Sequence, residues 1–176
     1  MINKKLLKVM NEQIKYELES YYLYLSMAAY FHSISLDGMA HWMRAQAHEE
    51  MIHAMKFFDH ILDRGGKITL LDLKQGKTDW KSILEAWQDT LEHEQFITQK
   101  INDLTTVARN EKDYASEPIL AFFTGEQIEE EATASRILDQ VSMVAENKSG
   151  IFLLDRELGT RIFPPGSPMD ASAAAK

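Results

Sequence analysis

The stretch Ala47-His48-Glu49-Glu50-Met51-Ile52-His53 places two carboxylates and two imidazoles in mid-helix. Around it the apolar residues recur in steps of three and four: Met39, Met43, then Phe57 and Ile61. That period is an amphipathic helix with one buried stripe. Glu50 and His53 fall on the stripe, three residues apart, so both side chains point to one spot. A helix with Glu-x-x-His on its apolar face asks for partners that tolerate a buried charge.

Outward from this segment the chain reads as helix almost throughout. Its 176 residues hold only 8 Gly and 4 Pro, and three of the Pro follow Phe163. The spacing predicts a first helix from about Lys4 to His32 and a second, N-capped by Asp37, to about Arg64. Gly65-Gly66 then stops the second helix. A third helix is expected from about Ser82 to Arg109. After a turn at Asn110 to Tyr114, a fourth, with Pro118 in its first turn, runs to about Glu146. Gly150 is read as the separator before a short fifth helix, Ile151 to about Arg161. The short links make helices one and two, and three and four, antiparallel hairpins. The middle link differs. A helix of about 28 residues is ~42 Å long, and roughly fifteen extended residues reach ~50 Å. The link can therefore travel the length of the bundle, which gives a four-helix bundle with one long crossover.

Each long helix carries one glutamate in its otherwise mostly apolar stripe. The first stripe is Met10, Ile14, Glu17, Tyr21, Tyr24, Ala28, Phe31, and the second includes Gln46, Glu50 and His53. The third is Ile83, Trp87, Thr90, Glu94, Ile97, Ile101, Leu104, Ala108, and the fourth is Leu120, Phe123, Gln127, Glu130, Ala134, Ile137, Val141, Val144. The helix midpoints fall near residues 18, 50, 95 and 130, so Glu17, Glu50, Glu94 and Glu130 share one central layer. Burying one unpaired carboxylate costs on the order of several kcal/mol, and four repel each other. No Lys or Arg is expected in this layer. Two divalent cations would neutralise it, and carboxylate oxygens with one imidazole suit iron, manganese or zinc. Glu126, Glu129 and Glu130 lie at i, i+3 and i+4, one further acidic face. Glu49 is rotated from Glu50 by about 100°.

Composition excludes several alternatives. With no Cys there is no disulfide frame, thiolate metal site or cysteine nucleophile. Nineteen Lys+Arg against 27 Asp+Glu, a net charge of -8, leave no global basic surface for nucleic acid. No signal peptide or membrane-spanning run is read, so the expected location is the cytoplasm. His32, His41, His48, His60 and His93 lack a partnered ligand spacing and are read as surface or packing residues, His93 with a further option beside Glu94. The apolar fifth helix, with Ile151, Phe152, Leu153, Leu154 and Leu158, is expected to pack against other copies of the chain.

Four segments carry a family resemblance: Asn11-Glu-Gln-Ile-Lys-Tyr-Glu17-Leu-Glu19, Ala47 to His53, His93-Glu94-Gln-Phe-Ile-Thr-Gln-Lys-Ile-Asn102, and Glu126-Gln127-Ile-Glu129-Glu130-Glu131. Together they make the chain resemble the bacterial and archaeal non-haem ferritins over residues 1–165. The resemblance implies an all-α, ferritin-like four-helix bundle with one long crossover and a short fifth helix. Residues 166–176 are expected to be a mobile tail. It also implies an iron-storage ferroxidase, which oxidises Fe(II) with O2 or H2O2 and deposits ferric mineral in a hollow shell of 24 subunits. Glu17, Glu50 and His53 match one iron site. Glu50, Glu94 and Glu130, with Gln127 beside them, match a second. Glu49, Glu126, Glu129 and Glu130 match a third toward the cavity, and Tyr24 matches a tyrosine near the iron pair. Two readings stand beside this one. One is a diiron peroxidase for oxidant removal. The other is a haem-binding, bacterioferritin-like protein, suggested by Met51, but Glu130 replaces that family's second histidine and no haem is expected. A non-catalytic binding module is the rival from another class.

Overall fold

The computed structural model describes residues 2–167. Among them are five α-helices and no strand: α1 Lys4–Ser33, α2 Asp37–Asp63, α3 Ile83–Asn110, α4 Glu117–Val144 and α5 Lys148–Leu158, with a 3-10 turn at Tyr114–Ser116 before α4. Local chemistry sets several of these ends. Asn3 accepts from the Lys5 N–H and starts α1, and Ser82 accepts from the Glu85 N–H and starts α3. Pro118 lies in the first turn of α4, where its missing N–H costs nothing.

Contacts at one end of the bundle fix the chain directions. The Ile2 N–H donates to the Arg64 carbonyl, Asn3 and Lys5 reach Glu111, and Arg64 grips Asp113. The start of α1, the ends of α2 and α3 and the start of α4 therefore meet here. The two hairpins are antiparallel, as expected. The link at 64–82 climbs the outside of α1. The Thr69 N–H donates to Asn11, the Lys74 N–H to Glu19, and the Ser26 hydroxyl to the Lys77 carbonyl. These partners ascend α1 in order, so the crossover spans the bundle.

Two expectations about helix ends are corrected. Asp37 does not cap α2. Its carboxylate turns to His32 at 2.7 Å. The N–H groups of Gly38 and Met39 are instead satisfied at 3.1 and 2.8 Å by Asp155, which arrives from α5. The approach is close enough that a Cβ on Gly38 would lie 1.7 Å from the Asp155 backbone oxygen. The fifth helix also begins three residues earlier than read, and Gly150 lies in its first turn. Asn147 provides the cap, accepting from the Gly150 N–H at 3.0 Å. α5 docks through Leu154 and Leu158 and leaves Phe152 and Leu153 exposed.

The core has two separate apolar bodies. One contains Met27, Phe31, Met39, Met43, Trp87 and Ile137, and the other Met10, Ile14, Phe57, Ile61, Ile101 and Phe123. The glutamates of the helix stripes fall between them. No helix among the described residues is long and apolar enough to cross a membrane. Of the tail read as 166–176, the part beyond Ser167 lies outside the described residues. Ser167 itself is buried, its hydroxyl 2.8 Å from His48 Nδ1.

Candidate metal centre

Glu17, Glu50, Glu94 and Glu130 are 1%, 3%, 2% and 9% exposed, and His53 is 3% exposed. One carboxylate from each long helix thus lies at mid-bundle with apolar packing above and below. Glu17, Glu50 and His53 close on each other, each offering a ligand atom within 4.8 Å of the others. His53 Nδ1 is 3.5 Å from Glu50. These are the residues expected for the first iron site.

The second expected set is held open by neutral donors. Gln46 Nε2 donates at 3.0 Å to Glu50 and at 3.0 Å to Glu130. The Tyr24 hydroxyl donates to Glu94, and Gln127 Nε2 reaches the same carboxylate at 3.3 Å. Glu50, Glu94 and Glu130 share the layer, but amides and a phenol take up their oxygens. Glu49, His53 and Glu126 form a further group of ligand atoms within 4.8 Å, with His53 Nε2 3.7 Å from Glu126. Of the residues expected at the third site, Glu129 is exposed and, like Glu130, lies outside this group.

Burial sets the protonation of this layer. It pushes Glu17 up to about 8, helped by the Glu50 charge. It does the same for Glu130, also to about 8, helped by Glu50 and Glu49. Burial also drives Glu94 well above the ordinary carboxylate range, reinforced by Glu50 and Glu130. For Glu50, burial is outweighed by the His53 and Gln46 hydrogen bonds, and its carboxyl lies below the usual value. His53 is the counterpart: burial opposes its charge, but Glu126 and Glu50 hold it well above an ordinary imidazole. In the metal-free layer His53 and Gln46 thus favour the ionised form of Glu50, while burial favours the protonated form of Glu17, Glu94 and Glu130.

Sequence reasoning missed three groups. Gln13 and Gln46 each stand four residues before a site glutamate and donate to it, Gln13 to Glu17 at 2.8 Å and Gln46 to Glu50. This i, i+4 Gln–Glu spacing is a signal the sequence carries. Arg161 carries none. It follows α5 and donates to Glu49 at 2.7 Å, so a cation does reach the rim of the acidic layer, though from outside the four long helices. His93 packs edge-on against Tyr24 and lies 2.8 Å from the Ser20 hydroxyl, behind the tyrosine that holds Glu94.

A family model described as a ferritin-like domain matches residues 7–144. The chain belongs to the ferritin family. It is 38% identical over 163 residues to the bacterial non-haem ferritin of Staphylococcus epidermidis, covering 93% of this chain and 98% of that one. It is 40% identical over 161 residues to the bacterial non-haem ferritin of Bacteroides fragilis, covering 92% and 100%. Among solved structures it resembles an open-pore ferritin from the hyperthermophilic archaeon Archaeoglobus fulgidus, with a TM-score of 0.90 at 42% identity over 92% of this chain and 99% of that chain. It also resembles a humanized archaeal ferritin, with a TM-score of 0.92 at 44% identity over 94% and 100%. This ferritin chain therefore has the one-crossover bundle read from its sequence.

Proposed function

We propose that this ferritin chain stores iron, oxidising Fe(II) to Fe(III) at the buried carboxylate layer and passing it to a mineral inside a closed shell of 24 copies in the cytoplasm. The observation that carries the reading is the layer itself: four buried glutamates and one histidine between two apolar bodies, with no Lys or Arg among the four. Such an arrangement is costly for a bundle that needs only packing, and useful for one that admits cations.

Fe(II) is the substrate. One ion is taken by Glu17, Glu50 and His53. A second is taken by Glu50, Glu94 and Glu130, once Gln46 and Gln127 release the carboxylate oxygens they hold. Glu50 serves both. Two Fe(II) bring four positive charges to four carboxylates, so full ionisation of the layer and cation entry favour each other. Each Fe(II) then gives up one electron. Dioxygen takes two electrons and two protons to become hydrogen peroxide, or hydrogen peroxide takes two of each to become two waters. The carboxylates supply charge and open coordination positions, and no side chain need act as a general base. Tyr24 keeps Glu94 oriented and Gln127 has an amide to offer a bound oxygen species. Glu49 and Glu126, beside His53, are assigned a weaker third cation position. The exposed Phe152 and Leu153 on α5 suit burial against other copies.

The test is Glu50→Ala. Rapid iron oxidation, followed by stopped-flow absorbance, is expected to disappear while light scattering still reports the assembled shell. Unchanged absorbance growth would remove the assignment. Uptake of far more than two or three Fe per chain by the parent separates storage from a binding module, which saturates there.

A further inference from the structure

The segment after α5 is strapped along one face of α2. The Arg161 carbonyl accepts from His41 at 2.8 Å. Phe163 packs edge-on against His41 and His48, with ring centroids 4.9 and 5.5 Å apart. The Arg161 guanidinium lies 4.1 Å over the Trp42 ring, and one of its nitrogens donates to Glu49 Oε2 at 2.7 Å. His41, Trp42, His48 and Glu49 follow a helical repeat, so the strap delivers a cation to the carboxylate beside His53 and Glu126.

Two arginine pairs in this molecule differ in a telling way. Arg64 holds Asp113 with two parallel bonds of 2.9 and 2.8 Å and adds Ser116 at 3.1 Å. That is a satisfied fork, suited to fastening helix ends. Arg161 makes one bond to Glu49, and its buried Nη1 finds no acceptor among the described residues. A guanidinium with a single bond to its carboxylate and one buried nitrogen left unpaired is held less firmly by that carboxylate than a two-bond fork. Its partner Glu49 belongs to the group of ligand atoms completed by His53 and Glu126.

We propose that Arg161 is a built-in competitor for the third cation: its guanidinium neutralises Glu49 while that position is empty and must yield, or be borne as a repelling charge, when a divalent ion arrives. This rests on the third-site reading above and adds its regulation. The like charges oppose each other at short range. The third ion is therefore taken last, held weakly and easily handed on, without any change to the two inner positions.

The experiment is calorimetric titration of Zn(II), a redox-inactive probe, into metal-free assembled shells. Arg161→Gln is expected to tighten the third binding step about tenfold and to leave the first two steps as they are. Arg161→Lys keeps the charge and is expected to match the parent. Glu49→Gln is expected to abolish the third step in either background. A third step that is unchanged or weaker in Arg161→Gln overturns the proposal and makes Arg161 a mere clasp for Glu49. A Glu49→Gln variant that binds like the parent removes the third-site reading itself. If the parent shows no third step, its appearance in Arg161→Gln supports the proposal and its continued absence sinks both.

Discussion

Gln46 donates its side-chain N–H groups to Glu130 from one helix away, 3.0 Å from nitrogen to oxygen, while the same nitrogen reaches Glu50 at 3.0 Å on its own helix. A neutral amide thus spans the two carboxylates that Fe(II) is proposed to bridge. The Gln46 carbonyl oxygen finds no donor among the described residues, and turning the amide over would set that oxygen against the Glu50 carboxylate, whose ionised form is favoured. The donor end therefore faces the site. Gln46→Met is expected to destabilise the metal-free protein by about 1–3 kcal/mol, because it strips a donor from buried acceptors. The deficit should shrink in the Zn(II)-loaded protein, where the cation replaces the amide. Scanning calorimetry of both forms checks this, and an equal loss with and without Zn(II) would contradict it.

Proton release is the second expectation. Glu17 and Glu130, held up to about 8, are protonated at about pH 6.5 and must ionise to bind a cation. His53, raised above an ordinary imidazole, must also lose its proton to become a ligand. Divalent-ion binding at about pH 6.5 should release about two or more protons per chain, and the number should fall as pH rises through about 8, where Glu17 and Glu130 ionise without the cation. Titration in two buffers of different ionisation enthalpy measures this directly. The stability consequence has a definite sign. Between about 4.5 and 8 the folded state keeps protons that the unfolded chain has lost. These two groups therefore support the metal-free fold below that window and cease to support it as pH rises through it.

The third expectation concerns the α2–α5 junction. Asp155 accepts from the first N–H groups of α2 in place of a local cap. Asp155→Ala should cost about 1–2 kcal/mol, the usual value of an N-cap, with Asp155→Asn costing less. Gly38→Ala should cost more, since its Cβ would collide with the Asp155 backbone and α5 would have to move. Thermal melts rank the three variants. A Gly38→Ala protein as stable as the parent would mean that α5 docks more loosely than its contacts require.

Residue period alone locates the core and most of the candidate site. Glu17, Glu50, Glu94 and Glu130 are legible because a buried face repeats every three or four residues and a polar residue on it stands out. The crossover is legible because reach is a matter of residue count. Period does not reveal partners brought together by the fold. Asp155 meets Gly38 across 117 positions, and Arg161 meets Glu49 across 112. Each is an ordinary charge in its own neighbourhood. Glu129 shows that a charge run does not share one burial. It belongs to an acidic run, but a rotation of about 100° per residue turns it to solvent while Glu130 stays buried. The Asp37 cap failed for a related reason: a distant carboxylate satisfied the N–H groups that a local one was expected to take.

The last expectation isolates the rim from the inner pair. Glu49 and Glu126 contribute to the group around His53, but the four inner glutamates already balance two divalent ions without them. Substituting both by Ala should therefore leave the first rapid oxidation of about two Fe(II) per chain intact. Later additions should differ, because an ion leaving the inner pair loses a nearby anionic landing point and Arg161 loses the carboxylate it neutralises. The effect should appear as an altered Fe:O2 ratio, or slower oxidation, from the second addition onward. Oxygen consumption per iron, measured over successive additions, is the appropriate record. Burial already raises Glu49 above its ordinary range, and Glu126 is held below its own chiefly by His53. The two therefore differ in how readily they offer charge, and Glu126→Ala alone should disturb His53 more than Glu49→Ala alone. A double variant that matches the parent at every addition would reduce the rim to an acidic surface with no part in iron transfer.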